Sequence, residues 1–167
     1  MNQRYSILFE IKMKSLLAII FIISTLFFGS CKPETCEEIV PQIEFVSLQV
    51  FGDTAKLTFS FKDCDGDFGL RRSDTLPPYE YNVFIEYFDF NNGEFKKVGP
   101  LNPPYYYRIP FLESSSNSDI LEGEIDIDII PYYLPGFGDT MRYEVYIQDS
   151  LLHQSNVLTT PSLIAPQ

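Results

Sequence analysis

The sequence contains no tryptophan, one histidine and three cysteines, and its acidic residues far outnumber its basic ones. Twelve Lys and Arg residues stand against 23 Asp and Glu residues, for a formal net charge of −11. A chain of this charge repels the phosphates of DNA and RNA, which argues against nucleic-acid binding. Much of the acidity also has an ordinary explanation, because net charge keeps a protein soluble.

The sequence has little that points to catalysis. It contains no phosphate-binding loop, no dinucleotide fingerprint and no nucleophile elbow. The single histidine, His153, leaves a zinc site short of ligands. We therefore expect the protein not to be an enzyme, and a hydrolase built on His153 is the remote alternative.

No long segment has the apolar period of an α-helix, and the 12 prolines and 9 glycines are spread along the chain. Short segments with alternating apolar and polar residues are separated by turn signals, the clearest of which is Asn92-Gly93. This pattern predicts one all-β domain, an immunoglobulin- or fibronectin-III-like β-sandwich of about seven antiparallel strands. Tyr143 then lies where such folds place a tyrosine corner, and ordinary core packing explains this tyrosine equally well. The predicted strands are residues 43–50, 55–62, 81–90, 94–98, 105–109, 120–130, 141–149 and 156–160.

Residues 1–30 read as an export signal, and Met13 is a second candidate for the true start. Lys12 and Lys14 precede an apolar run from Leu16 to Phe28. The run has about 13 residues and is shorter than the roughly 20 that a bilayer-spanning helix needs. We expect the signal to precede a polar tether over residues 31–41 and the β-sandwich domain over residues 42–167.

The sequence Gly29-Ser30-Cys31 after this apolar run resembles the lipobox of bacterial lipoproteins, although Phe28 stands where that family usually has leucine. The resemblance implies that Cys31 becomes the first residue of the mature protein and carries diacylglycerol and a fatty acid such as palmitate. Several acyl chains would hold the protein firmly on a membrane. The alternative is an ordinary signal peptide followed by a disulfide cysteine.

Four segments of the domain carry a family resemblance: Asp65-Gly-Asp-Phe-Gly-Leu70, Pro103-Pro-Tyr-Tyr-Tyr-Arg108, Leu121-Glu-Gly-Glu-Ile-Asp-Ile127 and Gln148–Pro161. They resemble a group of uncharacterised Bacteroidota lipoproteins, and the acidic tether resembles the surface-export signal of lipoproteins of that phylum. The resemblance implies the sandwich fold and a place in the cell envelope, as an outer membrane lipoprotein of the periplasmic or surface leaflet, and it implies no particular activity.

Three aspartates alternate directly after a predicted strand, at Asp63, Asp65 and Asp67. Alternating carboxylates on a glycine-containing turn supply the oxygen ligands that Ca²⁺ prefers. Asp74, twelfth in the loop, and Asp149, which sandwich topology places at the same end, are the predicted further ligands. The alternative is a turn without a metal, because Asp and Gly favour turns for conformational reasons.

Two cysteines remain if Cys31 is lipidated, and an even number suits an oxidising compartment. Sandwich topology brings Cys36 and Cys64 to the same end of the domain, which favours a Cys36–Cys64 disulfide over two free thiols. This bridge would join the tether to the aspartate loop.

Tyr105, Tyr106 and Tyr107 form an aromatic cluster beside prolines. Exposed tyrosines stack on sugars or anchor protein contacts, whereas edge packing under a long loop would need no ligand. We expect a non-enzymatic interaction or accessory module of the envelope, held on the membrane by its lipid, with a protein or glycan partner. The alternative is a glycan-binding surface lipoprotein that serves nutrient capture.

Overall fold

The computed structural model describes Cys36, residues 39–112 and residues 119–166. The predicted signal peptide, Cys31 and most of the tether lie outside these residues, so the expectations about them remain predictions. The described residues contain no helix with the length and apolar character needed to cross a membrane.

All regular structure in the described part of the chain is β-strand, arranged as two antiparallel sheets. One sheet has the order β1-β2-β6, and the other has the order β4-β3-β7-β8, with β5 also paired to β3 and β9 to β7. The predicted all-β sandwich is therefore confirmed. The strands are β1 (Gln42–Phe51), β2 (Thr54–Asp63), β3 (Val83–Asn91), β4 (Glu94–Lys97), β5 (Tyr105–Tyr107), β6 (Leu121–Ile129), β7 (Thr140–Ile147), β8 (Leu158–Thr159) and β9 (Leu163–Ile164).

Period-two alternation builds the core between the sheets, because successive side chains of a strand point to opposite faces. On β2, β3 and β7 almost every second residue is buried, while its neighbours are partly exposed. The aromatic and aliphatic side chains of both inner faces form one contiguous cluster. Its fully buried strand members include Leu57, Phe59, Val83, Ile85, Tyr87, Ile129, Met141, Tyr143, Val145 and Ile147.

Both edges of the six-stranded sheet are interrupted by proline. Strands β4 and β5 pair with opposite ends of β3, and the segment 98–104 with its three prolines separates them. Strands β8 and β9 pair with β7 in the same way on the other edge, on either side of Pro161. Proline lacks the N–H that a ladder needs, so it confines these edges to short pieces that resist pairing with another chain. The last strand predicted over 156–160 is accordingly reduced to the two residues of β8, and β9 beyond Pro161 was not predicted.

Strand β1 is the edge of the three-stranded sheet, and its register shifts between Phe45 and Ser47. A side-chain amide joins its start to the loop after β7. The Ile43 N–H donates to Asn156 Oδ1 at 2.8 Å, and Asn156 Nδ2 donates to the Ile43 carbonyl at 2.9 Å. The Asn156 side chain thus makes the two hydrogen bonds that the backbone of a neighbouring strand would make. It joins the start of β1 to the β7–β8 loop at one end of the sandwich.

Tyr143 fills both roles that the sequence left open. Its ring is fully buried and meets the ring of Tyr87 edge to face, with 5.9 Å between centroids. Its hydroxyl donates to the carbonyl of Tyr132, in the connection before β7. A tyrosine early in this strand that bonds back to the preceding connection is the tyrosine corner of immunoglobulin-like sandwiches.

We predict that Tyr143→Phe lowers the free energy of unfolding by about 1–3 kcal/mol, because a buried carbonyl loses its donor. Tyr107→Phe is the matched control, since the Tyr107 hydroxyl bonds to the Asp128 carbonyl at an exposed site. Its cost should stay within about 0.5 kcal/mol. Urea unfolding of both variants measures the difference, and equal losses would contradict a corner role.

Candidate functional site: the aspartate loop after strand β2

The aspartate loop, residues 63–70, begins at the last residue of β2 and is anchored by its own apolar side chains. Phe68 and Leu70 are buried in the core, and the Phe68 ring lies 4.7 Å from the Phe61 ring. The residues between Asp63 and Phe68 are therefore held from both ends. The segment is a fixed part of the sandwich end.

Backbone contacts hold the loop against residues 109–112 on one side. Leu70 N–H donates to the Ile109 carbonyl at 3.0 Å, and Phe111 N–H donates to the Leu70 carbonyl at 2.9 Å. Gly69 has a φ of +100°, and a Cβ there would lie 2.4 Å from the carbonyl oxygen of Pro110. Glycine is thus required at position 69 both by its backbone angle and by the close approach of the neighbouring chain.

The loop brings three carboxylates together. One oxygen from each of Asp63, Asp65 and Asp67 lies within 4.8 Å of the other two. Asp63 is fully buried, Asp67 is half-buried and Asp65 is exposed. The group therefore extends from the protein interior to the solvent.

Hydrogen bonds satisfy only part of this group. Asp63 Oδ2 accepts from the Asp67 N–H at 3.1 Å, and Asp67 Oδ2 accepts from the Ser150 hydroxyl at 2.9 Å. The other oxygen of each side chain, Oδ1, is buried and has no hydrogen-bond partner among the residues that the structure describes. A buried carboxylate oxygen without a partner is costly, so these two atoms need an explanation.

Burial, together with the proximity of other carboxylates, raises the pKa values of Asp63 and Asp67. Burial raises the pKa of Asp63 from 3.8 to about 6, and the charges of Asp65, Asp67 and Asp149 add to the rise. Burial also raises the pKa of Asp67, against the Ser150 hydrogen bond, which lowers it. Both shifts arise because a negative charge is disfavoured in a partly dry place beside other negative charges.

Asp149 lies at this end of the sandwich, as the topology predicted, but its carboxylate holds its own loop. Oδ1 accepts from the backbone N–H groups of Leu151 and His153 at 2.9 and 2.8 Å. Oδ2 lies 2.8 Å from His153 Nδ1. Asp149 therefore contributes negative charge near the aspartate loop and stands outside the group of converging oxygens.

Asp74 also stands outside that group. Its carboxylate accepts from the Arg71 N–H at 3.1 Å and from the Ser73 hydroxyl at 3.0 Å, so it closes a turn of its own. Asp74, the twelfth residue counted from Asp63 as the first, would be a ligand only if the chain from 63 to 74 ran in one continuous curve. The insertion of Phe68 and Leu70 into the core prevents that curve.

Cys36 and Cys64 are joined in a disulfide, with their Cα atoms 5.4 Å apart. Cys64 lies between two of the aspartates, so the bridge ties the aspartate loop to the segment that precedes β1. This link closes 28 residues of chain. In the chain-entropy model, closing a loop of this size lowers the conformational entropy of the unfolded chain and so stabilises the fold by about 3–4 kcal/mol.

The three tyrosines of β5 divide between two faces. The hydroxyls of Tyr105 and Tyr107 donate to the carbonyls of Pro131 and Asp128, so both side chains pack toward the other side of the sandwich. Tyr106 points outward, where its ring lies 5.0 Å from that of Phe84. The predicted cluster is therefore not a single ligand-binding surface, because alternation along a strand separates its members.

The outward face of the six-stranded sheet carries an aromatic surface of which only one member, Tyr106, was predicted from the sequence. We call Phe84, Tyr106 and Tyr146 the aromatic face. The Phe84 and Tyr146 rings stack with centroids 4.8 Å apart. The sequence of β3 indicated such a surface. Aromatic residues occur among both the odd-numbered and the even-numbered positions of this strand, so both of its faces carry rings and only one face can point into the core.

Charged side chains surround this surface in compensating pairs. Glu86 and Glu144 are direct cross-strand neighbours on β3 and β7. Lys97 Nζ lies 3.1 Å from Glu86, and Arg142 lies 3.1 Å from Glu144. A cleft of about 520 Å³ adjoins the Tyr106 side of the face, and Glu86 and Lys97 are among its lining residues.

His153 is paired with Asp149, but the neighbouring serines are engaged elsewhere. Ser150 donates to Asp67, and the Ser155 hydroxyl donates to the Asn156 carbonyl. In the part of the chain that the structure describes, no serine hydroxyl donates a hydrogen bond to the His153 imidazole. A nucleophile activated by His153 would need such a bond.

No family model, no curated protein and no solved structure matches this chain.

We predict that Asp63→Asn makes the metal-free protein more stable than the wild type above pH 6. The raised pKa of Asp63 means that its protonated form favours folding. The contribution of protonated Asp63 to the stability of the wild type is fully present below pH 3.8 and is lost as the pH rises through about 6. The advantage of the variant should therefore shrink as the pH falls toward 4.

Urea unfolding in a chelator, between pH 4 and 7.5, measures this advantage. Asp74→Asn is the matched control, because it removes the same charge outside the group. A constant difference between Asp63→Asn and the wild type across this range would contradict the assignment.

Proposed function

We propose that this chain is a lipid-anchored protein of the cell envelope whose β-sandwich binds a partner and performs no catalysis. The observation that carries the binding role is the aromatic face. Monomeric proteins seldom carry stacked aromatic rings on the face of a sheet that points away from the core. Exposed apolar patches of this kind mark contact sites.

The surroundings of the aromatic face fit a binding surface. Its rings are partly packed on one another, so little side-chain entropy is lost when a partner covers them. The ion pairs of Glu86 and Glu144 lie beside the rings and form a polar rim. An aromatic centre with a charged rim is the usual anatomy of a protein contact.

The membrane anchor is proposed from the sequence alone. The apolar run, the small residues before Cys31 and the acidic tether support a lipoprotein of the outer membrane. With the anchor in place, the sandwich would present its aromatic face to other components of the envelope.

Glycan binding is the second candidate function, and the cleft beside Tyr106 favours it. Glu86 and Lys97 supply hydrogen-bonding groups to sugar hydroxyls, and the Tyr106 ring offers a stacking surface. This version would suit a surface lipoprotein that captures nutrients.

Lipid attachment is tested by labelling cells with an alkyne fatty acid. We predict that the protein takes the label and partitions with membranes, and that Cys31→Ser abolishes both. Cys36→Ser is the control, since it removes a nearby cysteine and should keep the label. Labelling that survives Cys31→Ser would contradict the proposed anchor.

Partner binding is tested by photocrosslinking in cells from position 146, on the aromatic face, and from position 51, an exposed aromatic on β1. We predict one defined protein adduct from position 146 and none from position 51. The same adducts from both positions would contradict the assigned face.

A glycan array separates the two candidates. Binding that is lost in a Tyr106→Ala, Tyr146→Ala double variant and retained in Phe51→Ala would favour the glycan, whereas an empty array with a position-146 protein adduct would favour the protein partner.

A further inference from the structure

We propose that Asp63, Asp65 and Asp67 bind one calcium ion at the end of the sandwich where β2 leaves its sheet. The site goes beyond the partner-binding role and does not depend on it, because the aspartate loop and the aromatic face are formed by different residues.

The spacing of the three carboxylates suits a single ion of this size. Calcium binds oxygen at about 2.3–2.6 Å, so two oxygens on the same ion are separated by at most about 5 Å. The converging oxygens of the group lie within 4.8 Å of one another. Magnesium demands near-ideal octahedral geometry at about 2.0–2.1 Å and gives up its water reluctantly, so three carboxylates on one rigid loop suit calcium better.

An independent observation points to a ligand inside the group. Asp63 is fully buried, with an exposure of 0%, and no group in residues 39–112 or 119–166 makes a hydrogen bond to its Oδ1. The Oδ1 of Asp67 is in the same condition. A buried carboxylate oxygen without a partner is costly, and a cation bound between these side chains would remove that cost.

The loop holds the carboxylates in place against their mutual repulsion. The burial of Phe68 and Leu70 fixes one end of the loop, and the disulfide of Cys64 fixes its middle. Ser150 bonds to both the backbone carbonyl and the side chain of Asp67. Because folding has already ordered the ligands, little free energy is spent on arranging them when an ion binds.

The rest of the coordination shell is available on the solvent side. Calcium takes six to eight oxygens, and exposed Asp65 leaves that side of the group open to water. Three carboxylates with water ligands on a rigid loop suit the affinity range of extracellular modules, about 10⁻⁴–10⁻³ M. A site of this affinity is largely occupied where the calcium concentration is millimolar.

A bound ion would join three parts of the domain. It would lie beside the end of β2, beside Cys64 and its bridge to Cys36, and beside the β7–β8 loop through the contact of Ser150 with Asp67. The expected consequence is a local brace at the end of the sandwich that carries the disulfide.

The test uses the full-length protein in non-ionic detergent, stripped of metal with a chelator. Calorimetric titration with CaCl₂ at pH 7.5 should give one site with a Kd near the range above. Thermal unfolding should shift upward by several degrees at 5 mM CaCl₂. MgCl₂ at the same concentration should shift it much less.

Asp63→Asn is the decisive variant, because it keeps the size of the side chain and the acceptor for the Asp67 N–H. We expect at least a tenfold loss of calcium affinity and little calcium-dependent rise in melting temperature. Asp74→Asn, which removes a carboxylate outside the group, should respond to calcium as the wild type does. Should Asp63→Asn fold poorly, Asp65→Asn at the exposed position provides the same test.

Three outcomes would overturn the proposal. One is the absence of both saturable heat and a thermal shift at 5 mM CaCl₂. Another is an equal response to calcium in the Asp63→Asn and Asp74→Asn variants. The third is an equal or larger response to magnesium, which would mean that the site is not built for calcium.

Discussion

The insertion of Phe68 and Leu70 into the end of the core is the contact on which the aspartate loop depends. Both residues are buried, and they lie a few positions after Asp63. The chain between must turn sharply, so it passes close to the backbone of Pro110 and needs glycine at position 69. The free energy gained by burying these apolar side chains keeps charged groups together that would otherwise separate. The acidic cluster is thus a product of hydrophobic packing.

The fold was predictable because its signal repeats along the chain. Alternation in segments such as 55–62 and 120–130 depends only on which side chains face the core, and period two fixes that choice. The short strand at Tyr105, which follows two prolines, was predicted on the same basis. Strand β9, beyond Pro161, was not predicted, since a strand of two residues has no periodicity.

The site was predictable only in part, for a physical reason. The convergence of Asp63, Asp65 and Asp67 is local, and their spacing alone suggests it. The exclusion of Asp74 and Asp149 depends on hydrogen bonds that each makes within its own turn, at Arg71 and at His153. No pattern of residue types reveals which of two acceptors a backbone N–H will choose. Phe84 and Tyr146 of the aromatic face were not predicted for a similar reason, because the rings of this face come from three strands.

The central claim is that packing holds three carboxylates around a place for a cation. A crystal structure of the protein grown with calcium, with an anomalous difference map, examines that place directly. A single peak at about 2.3–2.6 Å from Asp63 Oδ1 and from one oxygen each of Asp65 and Asp67 is predicted. The absence of a peak there, with Asp63 Oδ1 bonded to a protein group or to a water molecule, would contradict it.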